Sequence, residues 1–272
     1  SYEALVADPD VDDVYVSPPH PFHHAATMLA LRAGKAVLCE KPFAMSFAEA
    51  SEMVATARSS GTLLVEAMWT RFLPTMVRVR EILAAGTLGP VVYLTAEHGQ
   101  WFAQDPTHRL FAPSLGGGAL LDLGVYPVSF AHMVLGAPDR ITAVGDPALT
   151  GVDRTTSAIL QYETGAHAVL TTTLAAASSN RAVIHGAEAR LELDGWFYTP
   201  TSFRVVARDG TVLERCEPPA GGRGMEHEAI EVGRCLAEGL TESPVMPLDD
   251  TLAVMSTLDE IRRQIGLDYS TL

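Results

Sequence analysis

The sequence has little positive charge and little lysine. Its 272 residues include 33 acidic and 19 basic side chains, so the formal net charge is −14. A chain this acidic lacks the basic surface of a nucleic-acid-binding protein and is a poor match for a polyanionic partner. The charge therefore argues against nucleic acid as a partner. It says little more, because acidity of this size commonly serves solubility.

Cysteine is also scarce. Cys39, Cys216 and Cys235 are odd in number and widely spaced, and no C-x-x-C pair occurs. This usage is typical of reduced thiols in a cytosolic protein, so we expect a cytoplasmic location. We count no uninterrupted apolar run of the roughly 18 residues that a membrane-spanning helix needs. A membrane partner is therefore not expected.

The first third of the sequence alternates short apolar strands with helical segments. Strands are predicted at 13–16, 36–39 and 62–66, with helices at 22–32 and 46–61 between them. Continuous apolar strands separated by helices favour a parallel sheet covered on both faces. Ligands of such sheets bind beyond the carboxyl ends of the strands. Pro18-Pro19-His20 and Glu40-Lys41-Pro42 both follow strands, so we expect them at that edge.

The pattern changes after about Phe72. One helix is predicted at 76–85, and eight short strand-like segments follow between 91 and 215, several of which alternate apolar and polar residues. This is typical of an antiparallel sheet with one solvent-facing side. Helices at 226–238 and 252–265 close the chain. We therefore expect an α/β fold in which a parallel-sheet domain precedes an α+β domain.

Lys41 is one of only two lysines, the other being Lys35, against 17 arginines. Arginine stays protonated near neutral pH, whereas a lysine pKa can shift into that range. Lys41 directly follows a predicted strand, which suggests a role in a proton-transfer site. A surface lysine at a strand end would have the same position, and the residues alone leave both interpretations open.

A second candidate region begins at the three glycines 116–118, which allow close approach of a ligand or another chain segment. The following helix places Asp122 and Tyr126 at i and i+4, one turn apart on one face. A carboxylate and a phenol near a lysine form a plausible proton-transfer set. The alternative is a helix with a buried tyrosine and an aspartate favoured by the helix dipole.

Three segments together carry a resemblance that covers essentially the whole chain. They are Ala-Gly-Lys-Ala-Val-Leu-Cys-Glu-Lys-Pro at 33–42, Val-Glu-Ala-Met-Trp-Thr-Arg-Phe at 65–72 and Gly-Gly-Gly-Ala-Leu-Leu-Asp-Leu-Gly-Val-Tyr at 116–126. In this order they resemble the Gfo/Idh/MocA oxidoreductase family. The similarity is greatest to the branch that contains dimeric dihydrodiol dehydrogenase, NADP-dependent xylose dehydrogenase and glucose–fructose oxidoreductase.

The resemblance implies a Rossmann domain followed by an α+β domain with a large open antiparallel sheet that often serves dimerisation. We place the Rossmann part at 1–73, the substrate-binding and dimerisation domain at 74–250, and a terminal helix and tail at 251–272. The implied activity is hydride transfer between NAD or NADP and a carbinol carbon of a sugar, polyol or cyclic diol. The implied assembly is a homodimer formed through the antiparallel sheet.

The resemblance also implies roles for individual residues. Tyr126 would be the general acid/base, Lys41 would hold the substrate oxygen and tune the phenol, and Asp122 would orient a neighbouring hydroxyl. The residues implied to lie along the cofactor are Pro18, Pro19, His20, His23, Glu40 and Lys41. Weaker candidates for the substrate wall are Trp69, Arg71, Trp101, Phe102, Arg109 and His227.

One feature of the family is absent from the sequence. A G-x-G-x-x-G turn after a first strand holds the dinucleotide pyrophosphate in Rossmann domains, and no such segment occurs here. We therefore expect a shortened Rossmann domain that lacks the Gly-rich first unit and binds NAD(P) weakly or not at all. The alternative function is a non-catalytic dimeric remnant of the oxidoreductase fold that has lost dinucleotide binding.

Three neighbouring histidines, at 20, 23 and 24, raise the question of a metal site. Their H-x-x-H-H spacing lacks the cysteine or carboxylate complement that a zinc site needs. A polar helix start is the commoner explanation, so no metal is expected.

Overall fold

The structure, a computed structural model, describes residues 1–219 and 221–271. Its helices are α1 (Tyr2–Val6), α2 (His23–Arg32), α3 (Phe47–Ser60), α4 (Pro74–Ala84), α5 (Val125–Leu135), α6 (Glu226–Ala237) and α7 (Leu248–Ile265). Its strands are β1 (Asp13–Val16), β2 (Ala36–Glu40), β3 (Leu64–Ala67), β4 (Val91–Gly99), β5 (Arg140–Pro147), β6 (Asp153–Gln161), β7 (His167–Thr173), β8 (Ala182–Gly186), β9 (Ala189–Leu193), β10 (Phe203–Ala207) and β11 (Val212–Cys216).

The first sheet is parallel, as predicted, with strand order β1-β2-β3. Strands β2 and β3 are buried, whereas Asp13 and Tyr15 of β1 are exposed, and α2 packs beside β1 and β2. Ser46 begins α3 by accepting a hydrogen bond from the Glu49 amide at 3.2 Å. The Glu49 carboxylate accepts from the Met45 amide at 2.9 Å, so both ends of this capping arrangement satisfy free amides. Gly61 ends the helix at φ 64°, which favours glycine.

The second sheet has eight strands in the order β11-β10-β9-β8-β4-β7-β6-β5. It is mixed rather than wholly antiparallel, because β4 and β7 pair in parallel. Helix α5 and the β5–β6 hairpin lie between these two strands in the sequence and return β7 beside β4 in the same direction. The alternating strand pattern predicts the strands but does not specify which of them become neighbours.

Helices α5 and α7 lie on the inner face of the large sheet. Helix α5 packs on β4 and β7, and α7 packs on β5, α5, α3 and β3, so α7 contacts both sheets. It begins at Leu248, four residues before the predicted start at 252. The seam between the two sheets therefore lies at α5, α7 and the segment that follows β3.

One helical stretch among the described residues, Pro113–Leu135, is long and apolar enough to span a membrane by length and composition. This stretch is not an uninterrupted apolar run in the sequence, because it contains Asp122, Ser129 and His132. Of its most apolar 18-residue window, 83% is buried inside the protein. Its apolar character is thus accounted for by its position in the core, against the large sheet.

Candidate active site

The elements that position the candidate residues meet at the seam. Lys41 directly follows β2, at the carboxyl edge of the parallel sheet. Asp122 lies in a π-helical turn, Leu120–Gly124, and Tyr126 lies in the first turn of α5. The simple i, i+4 α-helical spacing predicted for this pair is therefore replaced by a wider turn, which often occurs at functional sites.

The glycines before this turn are needed for packing. A Cβ on Gly117 would lie 2.8 Å from the backbone carbonyl oxygens of Arg109 and Leu110. Only glycine therefore fits where the two backbone segments meet. This close approach brings Arg109 beside the turn that carries Asp122.

The structure brings Lys41, Asp122 and Tyr126 together. The Lys41 Nζ donates a hydrogen bond to the backbone carbonyl of Asp122 at 2.9 Å. It also lies 3.8 Å from Asp122 Oδ1 and 4.7 Å from the centre of the Tyr126 ring. Burial by itself would lower the pKa of Lys41, but the negative charges that Tyr126, Asp122 and Glu40 can carry raise it above its usual value. The lysine is thus a cation at neutral pH.

The Asp122 carboxylate lies within reach of three basic groups. Arg109 donates to its two oxygens at 2.8 and 3.4 Å, and His20 Nε2 lies 3.6 Å from Oδ1. Burial would raise the pKa of Asp122. Lys41, His20 and Arg109 outweigh that effect and hold the pKa well below its usual range. Asp122 is therefore ionised and compensates the charge of Lys41.

The Tyr126 phenol is buried, with 7% of the residue exposed. The indole Nε1 of Trp69 donates a hydrogen bond to its oxygen at 2.8 Å. Burial raises the pKa of Tyr126, although the Lys41 charge and the Trp69 hydrogen bond act in the opposite direction. The phenol is consequently protonated at neutral pH and can act as an acid.

Two aromatic residues that the sequence analysis did not single out pack against Tyr126. His98 and Tyr198 have ring centres 5.4 and 5.0 Å from the Tyr126 ring, and they stack on each other at 3.8 Å. Burial first, and then the Lys41 charge, lower the pKa of His98 to about 3, so His98 is neutral. The alternation of β4 could have identified His98, which shares the buried face with Leu94 and Ala96. Nothing in the sequence pattern indicates Tyr198.

All six residues predicted to lie along the cofactor border one cavity of about 360 Å³ at the carboxyl edge of the parallel sheet. Its lining includes Ser17, Pro18, Pro19, His20, His23, Glu40, Lys41, Arg109, Leu115 and Asp122. His23 is 1% exposed, and its two ring nitrogens lie 2.8 Å from the carbonyl oxygens of Pro18 and Pro42. The Glu40 carboxylate accepts from the Tyr15 hydroxyl and, at 3.1 Å, from the Lys41 amide. His23 and Glu40 thus fix the backbone of the cavity rim.

Only some of the residues predicted for the substrate wall contact Tyr126 or Asp122. Trp69 contacts Tyr126, and Arg109 contacts Asp122. Trp101 is 66% exposed, Phe102 packs beside the rings around His108, and His227 lies on α6, which packs near the turn that begins at Trp69.

Arg71 does not form part of an exposed wall. It is 3% exposed, and it donates hydrogen bonds to the side chain and the carbonyl of Ser129 and to Asp250. The family resemblance implied a wall residue at this position, but the 3₁₀ turn Trp69–Phe72 directs Arg71 into the seam. Arg71 therefore joins α5 to α7.

Within residues 1–219 and 221–271, no group of three or more histidine, cysteine, aspartate or glutamate side chains is arranged to hold a metal ion. His20 and His23 lie with ring centres 5.8 Å apart, and His24 instead faces Glu52 at 3.0 Å.

Comparison with known families agrees with this architecture. Residues 1–67 match a family described as "Oxidoreductase family, NAD-binding Rossmann fold", and residues 76–192 match the GFO/IDH/MocA C-terminal domain. The fold and the site thus define a nicotinamide-dependent oxidoreductase, and the alternative of a non-catalytic remnant is not favoured.

Individual proteins with similar sequences identify the family more specifically. The chain is 42% identical over 279 residues to trans-1,2-dihydrobenzene-1,2-diol dehydrogenase from Bos taurus, covering 99% of this chain and 82% of the relative. The Homo sapiens protein of that name is 41% identical over 278 residues, with the same coverage. The chain belongs to the Gfo/Idh/MocA oxidoreductase family.

Solved structures show the same fold. An aldose-aldose oxidoreductase from Caulobacter crescentus, complexed with glycerol, superposes with a TM-score of 0.87 at 27% identity, covering 97% of this chain and 80% of that one. KijD10, a 3-ketoreductase from Actinomadura kijaniata in complex with NADP and TDP-benzene, gives a TM-score of 0.84 at 30% identity, with coverages of 97% and 82%.

Proposed function

We propose that this protein transfers a hydride between NAD or NADP and a carbinol carbon of a sugar, polyol or cyclic diol. The observation that carries the proposal is the position of the Lys41 ammonium, 4.7 Å from the Tyr126 ring and 2.9 Å from the Asp122 carbonyl, beside a cavity at the sheet edge. One relative is named as a dihydrodiol dehydrogenase and another as an aldose-aldose oxidoreductase, which supports a hydroxylated substrate of this class.

The residues at this edge fit a nicotinamide group. The cavity follows the carboxyl ends of β1 and β2, where parallel sheets bind ligands, and Pro18, Pro19 and His20 form one wall. The Lys41 cation and the Glu40 and Asp122 carboxylates supply polar groups for ribose and carbinol hydroxyls. When bound, the nicotinamide would accept or supply the hydride.

The chain's own residues would transfer the proton. In carbonyl reduction, Tyr126 would donate its phenolic proton to the substrate oxygen, and in alcohol oxidation it would take that proton back. Lys41 would stabilise the phenolate with its charge, since its Nζ lies over the Tyr126 ring, 4.7 Å from the ring centre. Asp122 would hold Lys41 in place and balance its charge, while His98 stays neutral.

The two lysines provide a matched test. Lys41→Met should lower kcat for NAD(P)-linked oxidation of trans-dihydrodiols or aldoses, measured at 340 nm, by roughly 10- to 1,000-fold, because a preorganised charge is lost. Lys35 donates only to the carbonyls of Asp8 and Val11, so Lys35→Met should leave kcat within about two-fold. The assay uses the whole protein that the gene encodes. Equal activity of both variants would refute the role of Lys41, and no turnover of any polyol, sugar or diol would refute the proposed function.

We also propose a homodimer formed through the free face of the large sheet, in a cytoplasmic protein with reduced cysteines. Exposed Tyr93, Ile159 and Val169 lie on that face, and Ile159 pairs directly with Val169. Contiguous exposed apolar residues of this kind often mark an interface. A light-scattering mass of a single copy at micromolar concentration would contradict the dimer. We place the division between the two domains near residue 73, between the two matched regions.

A further inference from the structure

We infer that Trp69 is a positioning residue for the Tyr126 phenol: its indole N–H occupies one side of the phenolic oxygen, so that the phenolic proton is directed to the bound substrate. This inference rests on the proposed function, because it assigns Tyr126 as the proton donor. The family resemblance implied a substrate-wall role for Trp69, whereas this inference gives it a role that acts through Tyr126.

The hydrogen bond crosses the seam between the two sheets. Trp69 begins the short 3₁₀ helix Trp69–Phe72 after β3, whereas Tyr126 belongs to α5, which packs on the large sheet. The donor–acceptor distance is 2.8 Å, and the two rings meet at 85° with centres 6.5 Å apart. The phenol is thus fixed relative to the sheet edge that carries Lys41.

The direction of this hydrogen bond is unambiguous. An indole nitrogen can only donate, so the phenolic oxygen must be the acceptor. That oxygen keeps its own proton and a second lone pair. In the part of the chain that the structure describes, no protein group accepts the Tyr126 proton, and the Lys41 ammonium donates to the Asp122 carbonyl instead. The proton and the second lone pair therefore remain available to a substrate.

The indole N–H of Trp69 also stabilises Tyr126 in its ionised, phenolate form. A hydrogen bond to an ionised acceptor is stronger than one to a neutral acceptor. Trp69 therefore stabilises the phenolate more than the phenol, and its removal should raise the pKa at which Tyr126 acts. A wall residue that only touches substrate would change KM and leave that pKa in place.

Trp69→Phe tests the inference, because phenylalanine keeps an aromatic ring but has no N–H. We expect kcat to fall about 5- to 20-fold, with a change in substrate KM below about three-fold. The pH profile of kcat for alcohol oxidation should move up by about one unit. Trp196→Phe is the matched control, since Trp196 is 52% exposed and has no hydrogen bond to Tyr126; its profile should not move. Thermal melting of each variant confirms that it is folded.

A double-mutant cycle separates the two roles. In a Tyr126→Phe background, Trp69→Phe should cause no further loss of kcat, because its effect passes through the missing hydroxyl. Additive losses, or a raised KM with an unmoved pH profile, would overturn the inference. If the wild-type protein shows no turnover, the proposed function fails. The inference is then still decided by a pH titration of phenolate absorbance near 295 nm, in which the Tyr126→Phe signal is subtracted to isolate Tyr126. The Trp69→Phe substitution must raise the pH at which the Tyr126 phenolate forms. An unchanged midpoint overturns the inference.

Discussion

Two buried polar clusters lie one turn apart on the same two elements and differ in their chemistry. In the site cluster, Trp69 contacts Tyr126 beside Lys41. In the second cluster, which we call the strut, Arg71 contacts Ser129. Arg71 follows Trp69 by two residues and Ser129 follows Tyr126 by three, so the 3₁₀ turn and α5 carry both clusters across the same seam.

The clusters differ in whether the central side chain has a proton that it can transfer. In the strut, each guanidinium nitrogen of Arg71 donates to Ser129 or Asp250, at 2.9 to 3.2 Å. Arginine also has no proton to trade at neutral pH. In the site cluster, the Tyr126 hydroxyl accepts one hydrogen bond and keeps its proton, and Lys41 borders a cavity. A buried polar cluster is therefore chemically useful when it keeps a transferable proton beside a residue that borders a cavity.

The largest effect that would sharpen this comparison is expected at Tyr126. Tyr126→Phe should lower kcat by roughly 10²- to 10⁴-fold, because the acid/base group is lost, while cofactor affinity changes less than about two-fold. Steady-state kinetics and dinucleotide titration measure the two quantities. Tyr2→Phe, at a position 61% exposed, is the control and should behave as wild type. Unchanged turnover in Tyr126→Phe would remove the phenol from its role.

The opposite result is expected at the strut. Arg71→Met should destabilise the protein by about 2–4 kcal/mol, because it breaks buried hydrogen bonds and leaves Ser129 unpaired. The folded fraction should keep kcat within about three-fold, since Arg71 does not take part in proton transfer. Chemical denaturation and kinetics on the same samples give both values.

The control for the strut is Arg32→Met. The Arg32 side chain is 67% exposed and pairs with Glu52 at 3.6 Å, so its loss should cost less than about 1 kcal/mol. A collapse of kcat in Arg71→Met at unchanged stability would return Arg71 to the substrate wall.

The smallest expected effect is a dependence of stability on pH above neutrality. Burial raises the pKa of Glu66, a neighbour of the strut, to about 7 and that of Glu228 to about 8, from an ordinary value of 4.5. The stability these carboxyl groups provide is complete below pH 4.5 and is lost as the pH rises through 7 to 8, because the folded state must then ionise them.

Buried histidines act in the opposite direction at lower pH. Burial lowers the pKa of His98 to about 3 and that of His132 to about 4, from an ordinary value of 6.5. Their contribution is present above pH 6.5 and is lost as the pH falls toward those values, because the unfolded chain binds protons first. The ionised Asp122 does not change in this range, since its pKa lies far below it.

The melting temperature should therefore be highest near pH 6 and should fall by roughly 5 °C by pH 8.5. Glu66→Gln should flatten the alkaline decline. The same change at Glu163, which is exposed, should not. A melting temperature that rises between pH 6.5 and 8.5 would contradict the assignment of Glu66 and Glu228 as buried neutral acids.

Local sequence signals predicted most of the fold because they depend on neighbours in the chain. The apolar run of β2, the Ser46 cap and the Gly61 stop each act within a few residues, and all are found where predicted. The parallel pairing of β4 with β7 and the burial of Arg71 were not predictable in this way. Both depend on which segments meet after the chain has folded.

The sequence by itself determined the two sheets, their order along the chain, and the presence of Lys41, Asp122 and Tyr126 near glycine-rich or strand-end positions. Periodicity and backbone preferences suffice for such features. Only the tertiary structure decided that Trp69 donates to Tyr126, that Arg109 holds Asp122, and that His98 and Tyr198 pack around the phenol. These contacts join residues 13 to 72 positions apart. Their existence depends on how two sheets close on a shared seam, which no local pattern encodes.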